Sequence, residues 1–128
     1  MEYGDYSFYV PADESLGIFR DLYFDNEIIV ERKANLDEII SNLTGDKNRL
    51  KKELALAPPK KILIIEDASY ADMVNGKYRS SYSAKSMFGS YHSLWHEFDV
   101  PIIMMPEKKY TGMFMLGYFR YYLRGKLK

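Results

Sequence analysis

The run Lys60-Lys-Ile-Leu-Ile-Ile-Glu66 constrains this chain more than any other segment. Four consecutive apolar residues bounded by charges are far too few to span a membrane and lack the alternation of a half-exposed strand. They fit a strand buried on both faces, which places the core in a parallel or mixed sheet covered by helices.

The segments on either side supply the rest of such a sheet. Tyr6 to Val10 is aromatic and β-branched and is stopped by Pro11, so it reads as a short strand. Asp13 to Asn26 is polar with scattered aromatics and reads as a loop with room for a helical turn. Glu27 to Lys33 is a second strand whose β-branched residues lead into the triplet Glu31-Arg32-Lys33. Asn35, followed by Leu36, Ile39, Ile40 and Leu43 with Glu38 at the capping-box position, predicts a helix ending at Gly45. A basic helix follows from Asp46 to about Ala57, where Pro58-Pro59 breaks the chain.

Beyond the central strand, Ser69 to Val74 predicts a short helix and Asn75 to Tyr82 a polar turn. Ser83 to Phe98 is an amphipathic helix, and Val100 to Met105 returns as a strand. Lys108 to about Leu123 closes the chain as a helix apolar almost all round. Alternating strands and helices of this kind predict an α/β sandwich of three layers, a central mixed sheet flanked by helices. With 128 residues and no linker or repeat, the chain is expected to form one domain.

Charge and cysteine content narrow the chemistry. Eighteen basic residues offset eighteen acidic ones, so no global field draws in a polyanion and any DNA contact has to come from local patches. The absence of cysteine excludes disulfides, thiolate zinc sites and cysteine nucleophiles, and suits a reducing cytoplasm. The first residues carry no basic-then-apolar leader, so secretion and membrane insertion are not expected.

Phosphodiester hydrolysis needs a divalent cation held by hard oxygen ligands. Asp5 at the start of the first strand and Glu31 near the end of the second would meet at one end of the sheet if the two strands pair as a hairpin. Lys33 follows Glu31 by two residues and therefore shares its face, while Arg32 points to the other. A lysine there orients water or offsets charge on a phosphate. Asp5 and Glu31 are thus the candidate metal ligands and, with Lys33, the candidate catalytic set. Arg32 has a supporting role, its carbonyl being available to a metal. Asp37 either stabilises the helix N-terminus or supports the site, and both roles are compatible.

These residues resemble a known signature. Gly4-Asp5, then Glu31-Arg32-Lys33 with three residues before Asp37, is similar to the GD…ERKxxxD pattern of the XPF/Mus structure-specific nucleases, a branch of the PD-(D/E)xK restriction-endonuclease-like fold. Ile39 to Leu43 and Arg49-Leu50 fall where that family has a further shared segment, and the later strands and the Gly76-Lys-Tyr-Arg79 turn also match in place. The resemblance implies an Mg²⁺- or Mn²⁺-dependent DNA endonuclease acting on branched or flap DNA in repair, recombination or phage DNA metabolism. It also implies a homodimer or heterodimer through the C-terminal helices, using Phe114, Tyr118, Phe119 and Tyr122. The family's earlier strand and helix with an Asp-x-Arg-Glu segment, and its helix–hairpin–helix domain, are not found in this sequence. Stand-alone bacterial or phage relatives, cytoplasmic in location, fit that pattern.

Several residues keep two readings. Arg49, Lys51 and Lys52 form a solvated helix face or contact phosphates, as Lys77 and Arg79 do in their turn. Glu66 is expected to face solvent. His92 and His96 have the spacing of a zinc pair but lack a third ligand, so core-edge histidines are the expectation. The rival to an enzyme is a non-catalytic DNA-binding or dimerisation module on a nuclease fold.

Overall fold

The computed structural model describes residues 4–127. Its elements follow in the order β1 (Tyr9–Val10), β2 (Leu22–Tyr23), β3 (Ile28–Lys33), α1 (Leu36–Gly45), α2 (Lys47–Leu56), β4 (Lys60–Glu66), α3 (Tyr70–Val74), α4 (Ala84–Phe98), β5 (Ile102–Met105) and α5 (Thr111–Lys126). Strand β4 lies between β3 and β5 and is parallel to both, with Glu31 opposite Leu63 and Lys33 opposite Ile65.

Alternation along β4 divides the core in two. Leu63 and Ile65 point into a cluster built from Leu36, Ile39, Ile40 and Leu43 of α1, Leu50 and Leu54 of α2, Met73 of α3, and Met87, Tyr91 and Leu94 of α4. Ile62 and Ile64 point the other way, with Val30, against Phe114, Met115, Tyr118 and Phe119 of α5. Four helices, a sheet and one helix therefore make the three layers. Leu63, Ile64 and Ile65 are fully buried, and each contributes about 1.5–3 kcal/mol relative to exposure, so polar substitution here is strongly destabilising.

Local signals fix where the helices begin. Asn35 Oδ1 accepts from the Glu38 N–H, and Glu38 Oε1 accepts from the N–H of Ala34, one residue before the cap, a variant of the capping box. Asp46 both ends α1 and caps α2, its carboxylate accepting from the Arg49 N–H. Ser69 and Ser83 cap α3 and α4 in the same manner.

The main ladder is wholly parallel, and the antiparallel part of the expected mixed sheet reduces to the Gly4–Tyr6 segment. Tyr6 bridges Val30 in antiparallel sense, with the Asp5 and Tyr6 N–H groups both donating to the Val30 carbonyl. The expected strand from Tyr6 to Val10 breaks after this bridge, and Tyr9–Val10 pairs instead with Leu22–Tyr23, a strand inside the expected loop. Phe8 and Phe24 stack at 4.5 Å, Phe8 packs on Phe119 and both meet Tyr122 edge-on, so an aromatic plug docks this ribbon on α5.

Helix α5 begins at Thr111 after a short 3-10 turn over Lys108–Tyr110, and continues past Leu123. Its apolar residues divide unequally. Phe114, Tyr118 and Phe119 turn inward, while Met113, Leu116 and Tyr121 remain exposed at 71%, 58% and 65%. Among the described residues, no helix is long and apolar enough to cross a membrane.

Candidate active site

The bridge between Tyr6 and Val30 sets the register that brings Asp5 alongside Glu31. Gly4 makes the approach feasible. Its φ of 88° favours glycine, and a Cβ there would lie 2.7 Å from Ile29 Cδ1. Asp5 is exposed, yet its carboxylate is oriented, because Oδ2 accepts from the Arg32 N–H at 2.8 Å.

Glu31 points toward α2 and shares a cavity of about 270 Å³ with Asp5, Ile29, Leu50 and Glu53. Burial, and then the charge of Asp5, push its carboxyl up to about 7, with Glu53 adding to the rise and Lys33 opposing it. Lys33 Nζ lies 3.8 Å from Glu31 Oε1, and its side chain is only 12% exposed. Strand alternation thus does what the sequence implies: acid and lysine share one face and Arg32 takes the other.

Lys33 also opens onto a second cleft, of about 410 Å³, between α1 and α2, with Asn42, Asp46, Arg49 and Glu53 on its walls. Arg49 Nε is held 3.2 Å from Glu53 Oε1, and Asn42 Oδ1 is buried without a hydrogen-bond partner among the described residues. Glu53 borders both spaces and was not singled out by sequence reasoning. Its position four residues after Arg49 was a legible helical pairing, but its approach to Glu31 depends on how α2 docks.

The other candidates lie apart from the carboxylate pair. The Asp37 carboxylate accepts from the N–H groups of Arg79 and Ser80 at 3.3 and 2.9 Å, tying the 75–82 turn to the start of α1. Arg79 is thereby placed beside α1, and Lys77 is exposed on the same turn. Lys52 is exposed on α2, whereas Lys51 pairs with Glu97. His92 Nε2 is 2.9 Å from the Tyr70 hydroxyl within an aromatic cluster, and His96 is exposed.

Glu66 departs from expectation. It does not face solvent: it is 4% exposed and accepts from Arg32 Nε and from Thr111 Oγ1. Burial alone would raise its pKa, but the Thr111 and Arg32 donors outweigh that and hold it below the ordinary value.

Two carboxylates with a neighbouring lysine are a donor set suited to a hard dication. Magnesium commonly takes one or two protein carboxylates and completes its shell with water and phosphate. Asp5 and Glu31 fit that pattern. Among the described residues, no group of three His, Asp or Glu side chains converges as a fuller ligand set.

The model of the ERCC4 domain matches residues 1–117. This chain belongs to the ERCC4 domain family. Its fold also matches XPF from Aeropyrum pernix, with a TM-score of 0.56 and 21% identity over 84% of this chain and 52% of that one. The same protein in complex with DNA matches with a TM-score of 0.61 and 22% identity, over 88% of this chain and 57% of that one. This ERCC4-family chain thus spans little more than half the length of those structures, which share its restriction-endonuclease-like fold. A search of curated proteins finds no match.

Proposed function

We propose that this ERCC4-family domain is a divalent-metal-dependent endonuclease that hydrolyses phosphodiester bonds in branched or flap DNA. The observation carrying this reading is the meeting of Asp5, Glu31 and Lys33 at one end of the sheet, with the Glu31 carboxyl pushed up to about 7. Two buried or crowded carboxylates repel one another, and a dication between them relieves that repulsion. Membership of the ERCC4 family supports the same reading.

In this mechanism Asp5 and Glu31 would hold Mg²⁺ or Mn²⁺, which would supply charge neutralisation at the phosphate and acidification of water. The Arg32 N–H keeps Asp5 in its ligating orientation. Lys33 directs the attacking water with its ammonium and offsets the negative charge that grows on the phosphate. Arg49 in the neighbouring cleft holds a backbone phosphate, and Lys52, Lys77 and Arg79 make weaker contacts of the same kind. The compartment proposed is the cytoplasm of a bacterium or of a phage-infected cell.

Pairing with a second subunit through α5 belongs to this proposal. Phe114, Tyr118 and Tyr122, half-buried and lining an open groove on α5, together with the exposed Met113 and Tyr121 are the surface proposed, while Phe119 packs inward. A monomeric mass by light scattering at high concentration would sink it.

Cleavage of labelled flap, splayed-arm and linear duplex DNA in Mg²⁺ or Mn²⁺ tests the substrate. Preferential cutting of the branched forms supports the proposal, and equal cutting of linear duplex overturns the branch specificity. Binding without any cutting favours a DNA-binding module.

A further inference from the structure

The Asp5 carboxylate is exposed, so side-chain packing does not fix its direction. It is aimed by the Arg32 N–H, and whatever holds the Arg32 peptide plane also holds Asp5. The Arg32 side chain leaves β3 on the opposite face and ends on Glu66 at the end of β4. Glu66 in turn accepts from Thr111, the first residue of α5, which is itself 4% exposed. One line of hydrogen bonds therefore runs from the N-terminus of α5, through the sheet, to the candidate metal ligand.

We propose that Glu66 and Thr111 are positioning residues, which fix Arg32 and through it the direction of the Asp5 carboxylate. The catalytic consequence rests on the nuclease reading, whereas the positioning itself does not. Glu66 is buried while its partner Arg32 is 38% exposed, and a buried carboxylate is an expensive way to fill space, since apolar residues of similar volume stabilise as well or better. Its distinctive property is direction. Charge-assisted hydrogen bonds fix angles that dispersion contacts leave free. Here the donors come from β3 and α5 and the acceptor from β4, so three elements are locked at one carboxylate. Lys108, just ahead of α5, adds its charge to the stabilisation of Glu66. Partners that orient a metal ligand typically change metal affinity or activity by about 10- to 100-fold when removed.

The test compares Glu66→Gln, Thr111→Val and Thr111→Ser. Valine removes the hydroxyl while keeping the branched shape, and serine restores the hydroxyl. Three quantities are read: hydrogen exchange of the Arg32 amide by NMR, Mn²⁺ affinity by electron paramagnetic resonance, and thermal unfolding. The expected result is faster exchange of the Arg32 amide and Mn²⁺ affinity down by about tenfold in Thr111→Val and Glu66→Gln. Thr111→Ser should return both to wild type. Wild-type exchange and affinity in both damaging variants overturn the proposal. So does a Thr111→Ser as impaired as Thr111→Val, which would mean that methyl packing rather than the hydrogen bond matters. A wild-type protein that binds no Mn²⁺ would refute the nuclease reading alone, because Arg32 exchange still decides the positioning.

Discussion

Replacing Glu31 by glutamine isolates the electrostatics of the site from DNA binding. Burial and the adjacent Asp5 charge raise the Glu31 carboxyl from 4.5 to about 7. Its side chain is 23% exposed, so solvent screens the effect only in part. A tenfold change in proton affinity corresponds to about 1.4 kcal/mol, which makes the rise worth about 3 kcal/mol as an upper bound. Folding favours the protonated carboxyl, because the folded-state value is above the unfolded one. That favourable contribution is complete below pH 4.5 and is lost as pH rises through about 7. Glutamine mimics the protonated form at every pH. Glu31→Gln should therefore unfold up to about 12 °C above wild type at pH 8 without divalent cations, taking about 4 °C for each kcal/mol. At pH 4 the two proteins should nearly coincide. Calorimetry across this range is the assay. Added Mg²⁺ or Mn²⁺ should raise the wild-type midpoint at pH 8 and leave Glu31→Gln almost unmoved. A midpoint difference that is the same at pH 4 and pH 8 would refute the reasoning.

Three further perturbations test separate parts of the account. Gly4→Ala forces a Cβ to 2.7 Å from Ile29 Cδ1 at a φ of 88°, so it should cost about 1–3 kcal/mol in chemical denaturation and weaken Mn²⁺ binding by displacing Asp5. Tyr118 carries a buried hydroxyl without a partner among the described residues, its pKa pushed up to about 12 by burial and then by Tyr122; Tyr118→Phe should stabilise by about 1 kcal/mol, and a loss of that size would show a missed partner. Arg49→Ala should weaken DNA binding and reduce the salt dependence of the affinity by about one phosphate contact, while an unchanged salt slope would remove Arg49 from the interface.

The core of the fold was legible because its signals are local. Four apolar residues in β4, the Asn35 cap and the two prolines after α2 each dictate structure within a few residues. Two-residue periodicity was equally sufficient to put Glu31 and Lys33 together and Arg32 opposite. The parts that escaped depend on distant partners. Leu22–Tyr23 is only two residues long and is held by Tyr9–Val10 and by the Phe8–Phe24 plug that docks on α5. Glu66 looked like a strand-end carboxylate because nothing nearby in sequence reveals that Thr111, 45 residues on, closes over it. Glu53 escaped for the same reason, since its approach to Glu31 follows from the angle at which α2 packs.

The most direct test of the central claim is single-turnover cleavage of a labelled flap DNA in Mn²⁺ by the wild type, Asp5→Ala and Glu31→Ala. The account predicts a metal-dependent cut that falls by at least about 100-fold in each variant, with DNA affinity little changed. Cleavage that persists in both variants, or proceeds equally well in chelator, would contradict the assignment of Asp5 and Glu31 as metal-binding catalytic residues.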